Sequence, residues 1–502
     1  MSLRSFSFHD LVERNALLHG ARRAFAFGSQ NCTHAHYAEQ SARLAAGLAS
    51  VGVSVGERVA ILAHNSLAYA QLFGAAARLG AIVVPINWRL SAEEVAYVIS
   101  DVTPRVLIVS PELRALVPAD LPTNLKIYTL AMKTDGAWPP FAGLYLDAAV
   151  PAAEIGDEAP FVIIHTAAVG GRPRGAVLTH SGLISAAVQS QLLWRLTTDD
   201  VGLGVLPLFH LAGVGLMLAL QAAGGATLLL PRFDPQALVG FIDGEGGSVI
   251  GTFPPMLGAL LDAATQAGST LKPLRVVTGI DVPDTIARLG KVCPQADFWV
   301  AYGQTETSGS VTLGRFSERA GSAGRPTSLT KVAIVDEMDS PLPAGSVGEI
   351  VVRGPMVFAG YWRCDEDNAL TFRQGWHHTG DMGRLDDDGY LWYSGRSPAK
   401  ELIKPGGENV YPAEVERALL EHPALAAAVV FGVPDADWGE AVKAVCVLKD
   451  GQRVQADALI EFVGQRIARY KKPKHVVFVS ALPAGPSGAP DRAALKAAHG
   501  AA

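Results

Sequence analysis

The chain has 502 residues, 49% of them hydrophobic and 18% charged, so it can build large buried cores and is not a disordered chain. Its 42 lysines and arginines against 48 aspartates and glutamates give a net charge of −6, which argues against a dedicated nucleic-acid binder. Four widely spaced cysteines without a C-x-x-C pair argue against a disulfide frame and a zinc site, and they indicate a reducing, cytoplasmic setting.

Short apolar runs alternate with helical patterns from about residue 35 to residue 400. Such alternation predicts βαβ units and largely parallel sheets. Amphipathic helices are predicted at Leu67–Leu79 and Ser91–Ser100. The predicted strands are Val59–Leu62, Ala81–Pro85, Val106–Val109, Val249–Thr252, Arg275–Gly279 and Asp297–Ala301.

One long segment, Val201–Pro231, contains no Asp, Glu, Lys or Arg and exceeds the length that a membrane-spanning helix needs. Proline and paired glycines punctuate it, which favours short separate elements. We therefore expect a strand at Gly204–Leu208, an apolar helix after Gly213 and a strand at Ala226–Leu230, with no stable membrane insertion.

The pattern changes near Lys331, where short alternating strands and tight turns predict an antiparallel β-subdomain. The last hundred residues predict a small α+β unit behind a polar segment that contains Pro and Gly. We expect an N-terminal domain at residues 1–396, made of parallel-rich α/β sheets plus the antiparallel subdomain, and a mobile C-terminal domain at residues 397–502. Predicted elements of the latter are helices Pro412–Leu420 and Ala456–Ile467 and strands Ala426–Val433, Ala441–Leu448 and His475–Val479.

Four segments carry groups that suit phosphate or nucleotide chemistry, although each taken alone also fits an ordinary loop. A Gly-rich turn at His165–Gly175 follows a strand and can offer backbone N–H groups to phosphate. The segment Ala301–Gly309 offers hydroxyls and a carboxylate, which is a hard ligand for Mg²⁺. An aspartate in Trp376–Arg396 can accept bonds from a ribose diol, and Leu402–Glu416 begins a helix.

These segments, in this order, resemble the acyl-adenylate-forming superfamily of acyl-CoA synthetases, peptide-synthetase adenylation domains and luciferases. The resemblance covers nearly the whole chain. It rests on the segments LPLFHLAG (206–213), FPPML (253–257), YGQTE (302–306), GSAGRP (321–326), GEIVVRGP (348–355), GYW (360–362), HTGD (378–381), GGENVYP (406–412) and RYKKPK (469–474).

The resemblance implies that a carboxylic acid attacks the α-phosphate of ATP to give an acyl-adenylate, from which the CoA thiol then displaces AMP. It also implies that Thr305 and Glu306 hold phosphate and Mg²⁺, that His210 lines the acyl pocket, and that the Gly406-Gly407 turn faces the site when CoA attacks. Nucleotide contacts are implied for Thr166, Gly170, Gly171, Gly279, Tyr302, Gly303, Gln304, Asp381 and Arg396.

The sequence departs from the family pattern in ways that bear on activity. The phosphate loop lacks three usual hydroxyls and has Arg174 where lysine is usual, and Ala489 replaces the lysine expected to stabilise charge during adenylation. The hinge charge is either at Pro398, where the family has Asp or Lys, or at Lys400, which we favour.

We therefore expect an AMP-forming carboxylic acid–CoA ligase that uses ATP, Mg²⁺ and CoA, with a slowed first step. The alternative is a degenerate member that binds nucleotide or acyl-adenylate, or that retains only the thioester half-reaction. A peptide-synthetase adenylation domain is disfavoured because no carrier domain follows Ala502. The sequence leaves the acid, and the choice between monomer and homodimer, open.

Overall fold

Strands and helices alternate through the first part of the chain. The computed structural model describes residues 5–131, 138–166, 173–396, 402–483 and 490–500. Up to residue 200 the elements are α1 Phe8–His19, β1 Arg23–Phe27, β2 Gln30–Thr33, α2 His34–Ser50, β3 Arg58–Leu62, α3 Leu67–Leu79, β4 Ile82–Pro85, α4 Ala92–Val102, β5 Val106–Val109, β6 Lys126–Thr129, β7 Pro160–Thr166, β8 Arg174–Thr179 and α5 His180–Trp194.

The same alternation continues to residue 300 and then gives way to strands. The elements are β9 Val201–Gly204, α6 Leu211–Ala223, β10 Ala226–Leu229, α7 Pro235–Glu245, β11 Val249–Thr252, α8 Met256–Ala267, β12 Val276–Gly279, α9 Pro283–Val292, β13 Asp297–Gln304, β14 Gly309–Arg315, β15 Arg325–Pro326, β16 Lys331–Val335, β17 Gly348–Arg353, β18 Gly360–Tyr361, α10 Asp365–Thr371, β19 Phe372–Arg373, β20 Trp376–Leu385 and β21 Leu391–Arg396.

The last part of the chain forms a separate α+β unit. Its elements are α11 Pro412–Leu420, β22 Leu425–Asp435, β23 Gly439–Leu448, α12 Ala456–Gly464, β24 His475–Val479 and α13 Arg492–His499. Strands β22 and β23 are antiparallel, and β24 adds parallel to β23. This unit has its own apolar core, which extends from Ile403 to Phe478.

Within the described ranges, two large sheets are mainly parallel and one is antiparallel. The first large sheet has the order β15-β14-β13-β12-β11-β9-β10-β1-β2, and the second has the order β18-β8-β7-β4-β3-β5-β6. The antiparallel sheet has the order β16-β17-β20-β19, with β21 beside β20. Parallel-rich sheets, an antiparallel subdomain and a small α+β unit are what the sequence predicted, and that fold class is confirmed.

Local signals explain where the helices begin. Helix α4, for example, starts at a capping box in which the Ser91 hydroxyl accepts from the Glu94 amide and the Glu94 carboxylate accepts from the Ser91 amide. Helix α3 is capped by Ser66 and ends at Gly80, whose φ of 64° suits a left-handed cap.

The uncharged segment from residue 201 to 231 folds into strand β9, helix α6 and strand β10, as a buried α/β unit should. The predicted strand at Gly204–Leu208 is wrong in its bounds, because the strand ends at Gly204, before the Pro207 turn that leads into α6. None of the helices within the described ranges is both long and apolar enough to cross a membrane.

An ion pair between the buried Asp200 and the half-buried Arg275 links the start of β9 to the loop before β12. Asp200 is 4% exposed and accepts from Arg275 at 2.6 and 2.8 Å, from the Ser248 hydroxyl at 2.8 Å and from the Thr197 amide at 2.8 Å. Burial opposes the charge, but these donors hold the pKa of Asp200 below its usual value. The pair therefore contributes stability above about pH 4, and this stability is lost as the pH falls through the lowered folded-state pKa.

Replacing Asp200 with Asn should lower the free energy of unfolding by about 2 kcal/mol, because a buried carboxylate that accepts several hydrogen bonds is lost and the half-buried Arg275 loses its counter-charge. Urea unfolding curves at pH 7 measure the change. Asp199→Asn is the matched control, since the Asp199 side chain is 82% exposed and its loss should cost less than about 0.5 kcal/mol. Equal shifts for the two variants would contradict this account of the pair.

Candidate functional site

A cavity of about 300 Å³ opens where several strand ends, the antiparallel sheet and the C-terminal unit meet. Ligands commonly bind at the carboxyl ends of parallel strands, and this cavity occupies such a position beside β11, β12 and β13. Its polar wall includes Thr166, Arg174, Thr278, Gln304, Thr305, Glu306, Tyr361, Thr379, Arg396, Lys404, Asn409 and Tyr411. Its apolar wall includes Leu183, Ala186, Ala187, Trp194, Leu206, Leu211, Ala212, Gly215, Leu216, Phe253 and Ile280.

Asp381 lies in the wall behind the polar side and is only 2% exposed. Its Oδ2 accepts from the Tyr302 hydroxyl at 2.8 Å and from Gln304 Nε2 at 2.5 Å. Arg396 Nε lies 3.1 Å from Asp381 Oδ1, because β20 and β21 place these two residues opposite each other. Burial, and then the neighbouring carboxylate, raises the pKa of Tyr302 well above its usual value, so Tyr302 remains a hydrogen-bond donor.

Glu306 stands on the 3₁₀ turn Thr305–Thr307 that follows β13. Its Oε1 accepts from the Tyr361 hydroxyl at 2.8 Å and from the Thr166 hydroxyl at 3.3 Å. The site therefore gathers hard oxygen atoms around one carboxylate. Such a set fits Mg²⁺, which proteins usually bind through one or two carboxylates together with substrate phosphates.

Arg174 brings positive charge to the same wall. Its Nη1 pairs with Asp367 Oδ1 at 2.5 Å, and its guanidinium lies 4.0 Å from the centre of the Tyr361 ring. The cation is therefore held by a carboxylate and an aromatic face. It is oriented toward the cavity wall before any ligand binds.

The C-terminal unit reaches the cavity through a double-glycine turn. Gly406 and Gly407 have φ values of 57° and 85°, which favour glycine. A Cβ atom on Gly407 would lie 3.1 Å from Cγ of Phe253, and one on Gly406 would lie 2.6 Å from the Trp438 ring. Glycine at position 407 therefore lets this turn approach Phe253 without a tight side-chain contact.

The next residue, Glu408, contacts two side chains, Arg89 and His210, that belong to the part of the chain with the large sheets. Arg89 Nη1 donates to Glu408 Oε1 at 2.6 Å, and His210 Nε2 lies 3.3 Å from Glu408 Oε2. Burial opposes the charged form, but His210 and Arg89 keep the pKa of Glu408 below its usual value. Glu408 is therefore an anion that joins the C-terminal unit to the rest of the protein.

Most residues that the sequence singled out come together here. The cavity is lined by Thr166, His210, Gly279, Gly303, Gln304, Thr305, Glu306, Arg396 and Gly407. Tyr302 and Asp381 lie behind this wall, whereas Gly406 packs on Trp438. Gly170, Gly171, Lys400, Pro398 and Ala489 lie outside the described residues. The individual roles of all these residues stay predictions.

Gly279 shows why one of these positions needs glycine. Its φ is 139°, and a Cβ atom there would lie 1.9 Å from the carbonyl oxygen of Thr252 on the neighbouring strand. Any larger residue would push β11 and β12 apart at the edge of the cavity. The bulky Ile280 that follows is 53% exposed and also lines the cavity.

Sequence reasoning missed Arg89, Tyr361, Lys404 and Glu408 as site residues. Three of them stand in motifs that were noticed for other residues, namely GYW, LIKPGG and GGENVYP, so their signal was available. Loss of surrounding water lowers the pKa of Lys404, and the neighbouring Arg396 adds to the effect. Arg89 follows β4 with no local signal of its own.

Among the described residues, a group of three metal-binding side chains occurs at Asp339, Glu349 and His378. Arg373 already binds both carboxylates, at 2.8 and 3.0 Å to Asp339 and 3.2 Å to Glu349. His378 Nδ1 lies 2.9 Å from Glu349 Oε2. The group is therefore an internal ion-pair network.

Comparisons with known proteins agree with this geometry. Residues 12–362 match the family described as AMP-binding enzyme, and residues 414–489 match the AMP-binding enzyme C-terminal domain. The chain is 36% identical to a feruloyl-CoA synthase of an Amycolatopsis species over 95% of each chain. It is 35% identical to the indoleacetate–CoA ligase of Aromatoleum aromaticum over 94% of each chain.

A solved structure is similar as well. The crystal structure of a protein of Rhodopseudomonas palustris CGA009 superposes with a TM-score of 0.76 at 46% identity. The match covers 79% of this chain and 100% of the other.

Replacing Asp381 with Ala should weaken AMP binding at least about tenfold, or roughly 1.4 kcal/mol, because a buried carboxylate that accepts hydroxyl donors is lost. Calorimetric titration with AMP measures the change. Asp387→Ala is the control, since Asp387 is exposed on the turn after the same strand. Equal AMP affinity in wild type and Asp381→Ala would remove Asp381 from the nucleotide site.

Proposed function

This chain belongs to the family of AMP-binding enzymes and is an AMP-forming carboxylic acid–CoA ligase, and we propose that its acid is a bulky, largely apolar one. The observation that carries the proposal is the division of the cavity into a polar wall around Glu306 and Arg396 and an apolar wall between α5 and α6. A charged carboxylate can lie at the polar wall while the rest of the acid is buried along the apolar one.

The apolar wall also contains a glycine, Gly215, that leaves open space in the cavity. Gly215 lies within α6 and faces open space, since a Cβ atom there would meet nothing within 4 Å. A glycine inside a helix costs roughly 1 kcal/mol relative to alanine. This cost is understandable if the acid occupies the space that Gly215 leaves. The relatives named as a feruloyl-CoA synthase and an indoleacetate–CoA ligase agree with a bulky, largely apolar acid.

In the first half-reaction a carboxylate oxygen attacks the α-phosphorus of ATP, and pyrophosphate leaves with the electron pair of the broken P–O bond. Two negatively charged groups must approach each other, so cations at the wall favour the reaction. Arg174 is positioned for this, and Arg396 would hold the nucleotide near Asp381. Mg²⁺, which would be bound by Glu306 with Thr305 and Thr166 near it, would neutralise part of the phosphate charge.

In the second half-reaction the CoA sulfur attacks the acyl carbon, and AMP leaves as the thioester forms. We propose that residues 397–502 move as a body between the two steps, and that the described orientation is the one for thioester formation. The contact of Gly407 with Phe253 and the Glu408 pairs with Arg89 and His210 support this assignment. Domain movements that complete a site in turn are common in enzymes.

Nothing in the comparisons favours the alternative of a degenerate member without adenylation. Ala489 nevertheless stands where the family carries a lysine, so a slow first step stays a prediction. We also propose a cytoplasmic location, which the free Cys32, Cys293, Cys364 and Cys446 support.

AMP release from ATP, CoA and Mg²⁺ with acetate, benzoate, cinnamate and decanoate tests the function. We expect the larger acids to have at least about tenfold higher kcat/KM than acetate, because each buried methylene contributes about 0.8 kcal/mol. Absence of AMP with every acid would overturn the ligase activity in this panel. A preference for acetate would overturn only the apolar acid.

The same panel has a built-in control for the site. Gly215→Leu should lower kcat/KM for the larger acids at least about tenfold, because the new side chain enters the space left for the acid, and should affect acetate much less. Gly240→Leu places the same change on the exposed face of α7 and should leave the whole panel unchanged.

Replacing Ala489 with Lys should raise the rate of pyrophosphate release in a single turnover, by up to about 10²-fold, because a cation then acts on charge that develops in the transition state. Ala498→Lys adds the same charge to an exposed position of α13 and is the control. Wild-type adenylation at an ordinary rate, of order 1–10 s⁻¹, would mean that another cation already supplies the charge.

A further inference from the structure

A buried charge cluster joins the C-terminal unit to helix α4, away from the Glu408 contact. Lys471 Nζ lies 2.5 Å from Glu94 Oε1 and 2.7 Å from Glu414 Oε1. The three side chains are only 2%, 9% and 4% exposed. The Ala468 amide adds a hydrogen bond to Glu94 Oε2 at 3.0 Å.

The cluster connects parts of the chain that are far apart in sequence. Glu94 is separated from Lys471 by 377 residues and belongs to α4, which packs on the second large sheet. Glu414 and Lys471 both belong to the C-terminal unit. Of the two ion pairs, the one between Lys471 and Glu94 therefore joins the C-terminal unit to the rest of the protein, whereas the pair with Glu414 lies within that unit.

The positive charge of Lys471 is retained despite its burial. Burial disfavours charge on Lys471, but Tyr470 and the two carboxylates raise its pKa above the usual value. Burial, together with Glu94, raises the pKa of Glu414, although Lys471 acts in the opposite direction. One cation thus serves two carboxylates, and the loss of either partner changes how strongly the other is held.

The Glu94–Lys471 ion pair suits a C-terminal unit that must separate from the rest of the protein and then return to the same position. A buried ion pair is only slightly more stable than the same two charges separated in water. Its hydrogen bonds nevertheless fix the distance and the relative orientation of the two side chains closely. When the two parts separate, Glu94 keeps its capping bond to the Ser91 amide, and its charge and that of Lys471 return to water. Separation therefore exposes groups that water solvates well.

The cluster is next to the Glu408 contact. Glu408, Asn409, Tyr470 and Lys471 line one small cavity together with His210. Lys471 therefore lies beside the segment that carries Gly407 and Glu408 to the main cavity.

We infer that Glu94 is a positioning residue for thioester formation, because its pair with Lys471 holds the C-terminal unit where Gly407 reaches the main cavity. The inference rests on the proposed assignment of the described orientation to the second half-reaction. Glu94 touches no reacting atom and acts only through Lys471 and Ala468.

Glu94→Gln is the sharpest variant, because a glutamine oxygen can still cap α4 while the charge is lost. We expect conversion of supplied acyl-adenylate and CoA to acyl-CoA to fall about tenfold, with pyrophosphate release in the first half-reaction unchanged or faster. The adenylate is that of the best acid in the panel. Glu93→Gln, one residue earlier and exposed, makes the same charge change and should alter neither rate. Glu414→Gln leaves the crossing pair intact and should cost the second half-reaction less.

Hydrogen exchange of the free protein gives a readout that does not depend on activity. The amides of residues 466–472 should exchange faster in Glu94→Gln than in wild type, because the Ala468 amide loses its fixed partner as the contact opens. The charge exchange Glu94→Lys with Lys471→Glu should slow exchange again relative to Glu94→Lys alone.

Equal slowing of both half-reactions, or unchanged rates with unchanged amide exchange, would overturn the inference. If the panel shows no ligase activity, the proposed function fails, whereas the exchange experiment still decides whether Glu94 holds the C-terminal unit.

Discussion

The close approach of the Gly406-Gly407 turn to Phe253 is the constraint on which the rest of the site depends. A Cβ atom at position 407 would lie 3.1 Å from Phe253 Cγ, which is a tight contact, and the φ of 85° there also favours glycine. The approach carries Glu408 to Arg89 and His210, and it brings Asn409 and Tyr411 into the cavity wall. Residues from both ends of the chain therefore share one site because two residues have no side chain.

Two arginines of the cavity wall are paired before any substrate is present. Arg396 faces Asp381, and Arg174 faces Asp367 while lying on the Tyr361 ring. Pairing orients these side chains, so they need little reorganisation when phosphate arrives. An unpaired cation in the same place would pay a larger desolvation cost.

The sequence predicted the elements well where one local signal decided them. Strand Val106–Val109 and helix Pro412–Leu420 have the predicted bounds, because an apolar run and an N1 proline mark them. The strand at Val201–Gly204 was misplaced, because Gly202 and Gly204 give it a weak local strand pattern. Tertiary packing explains both glycines, since a Cβ atom on Gly202 would meet the Leu220 side chain at 3.0 Å and one on Gly204 would meet the Leu228 carbonyl at 3.0 Å.

The residues of the site likewise fall into those that the sequence could reveal and those that it could not. Residues in short motifs, such as Glu306 and Gly407, could be found from the sequence because the motif itself folds into the wall. Arg89 and Glu94 could not, and the RYKKPK motif that contains Lys471 does not reveal its partner, because no periodicity relates two residues that meet across hundreds of positions. Only the folded chain brings such pairs together, and a capping box explains Glu94 locally without its second partner.

The positions of the apolar side chains explain which forces hold the C-terminal unit against the rest of the protein. We call this contact surface the seam. The two apolar clusters of the C-terminal unit are built from residues 403–495, and among the described residues of that unit the cluster around α4 takes in Ala468 and Tyr470 alone. Hydrophobic burial therefore stabilises each part separately and contributes little between them. The seam is instead fixed by the charges at Glu408 and Lys471, which water can solvate when the parts separate. A seam built from apolar side chains would hold the C-terminal unit more tightly, but each separation would then expose apolar surface to water, at about 25 cal/mol per Å². Charged contacts fix the position of the C-terminal unit closely but bind it only weakly. A unit that alternates between two orientations requires both properties.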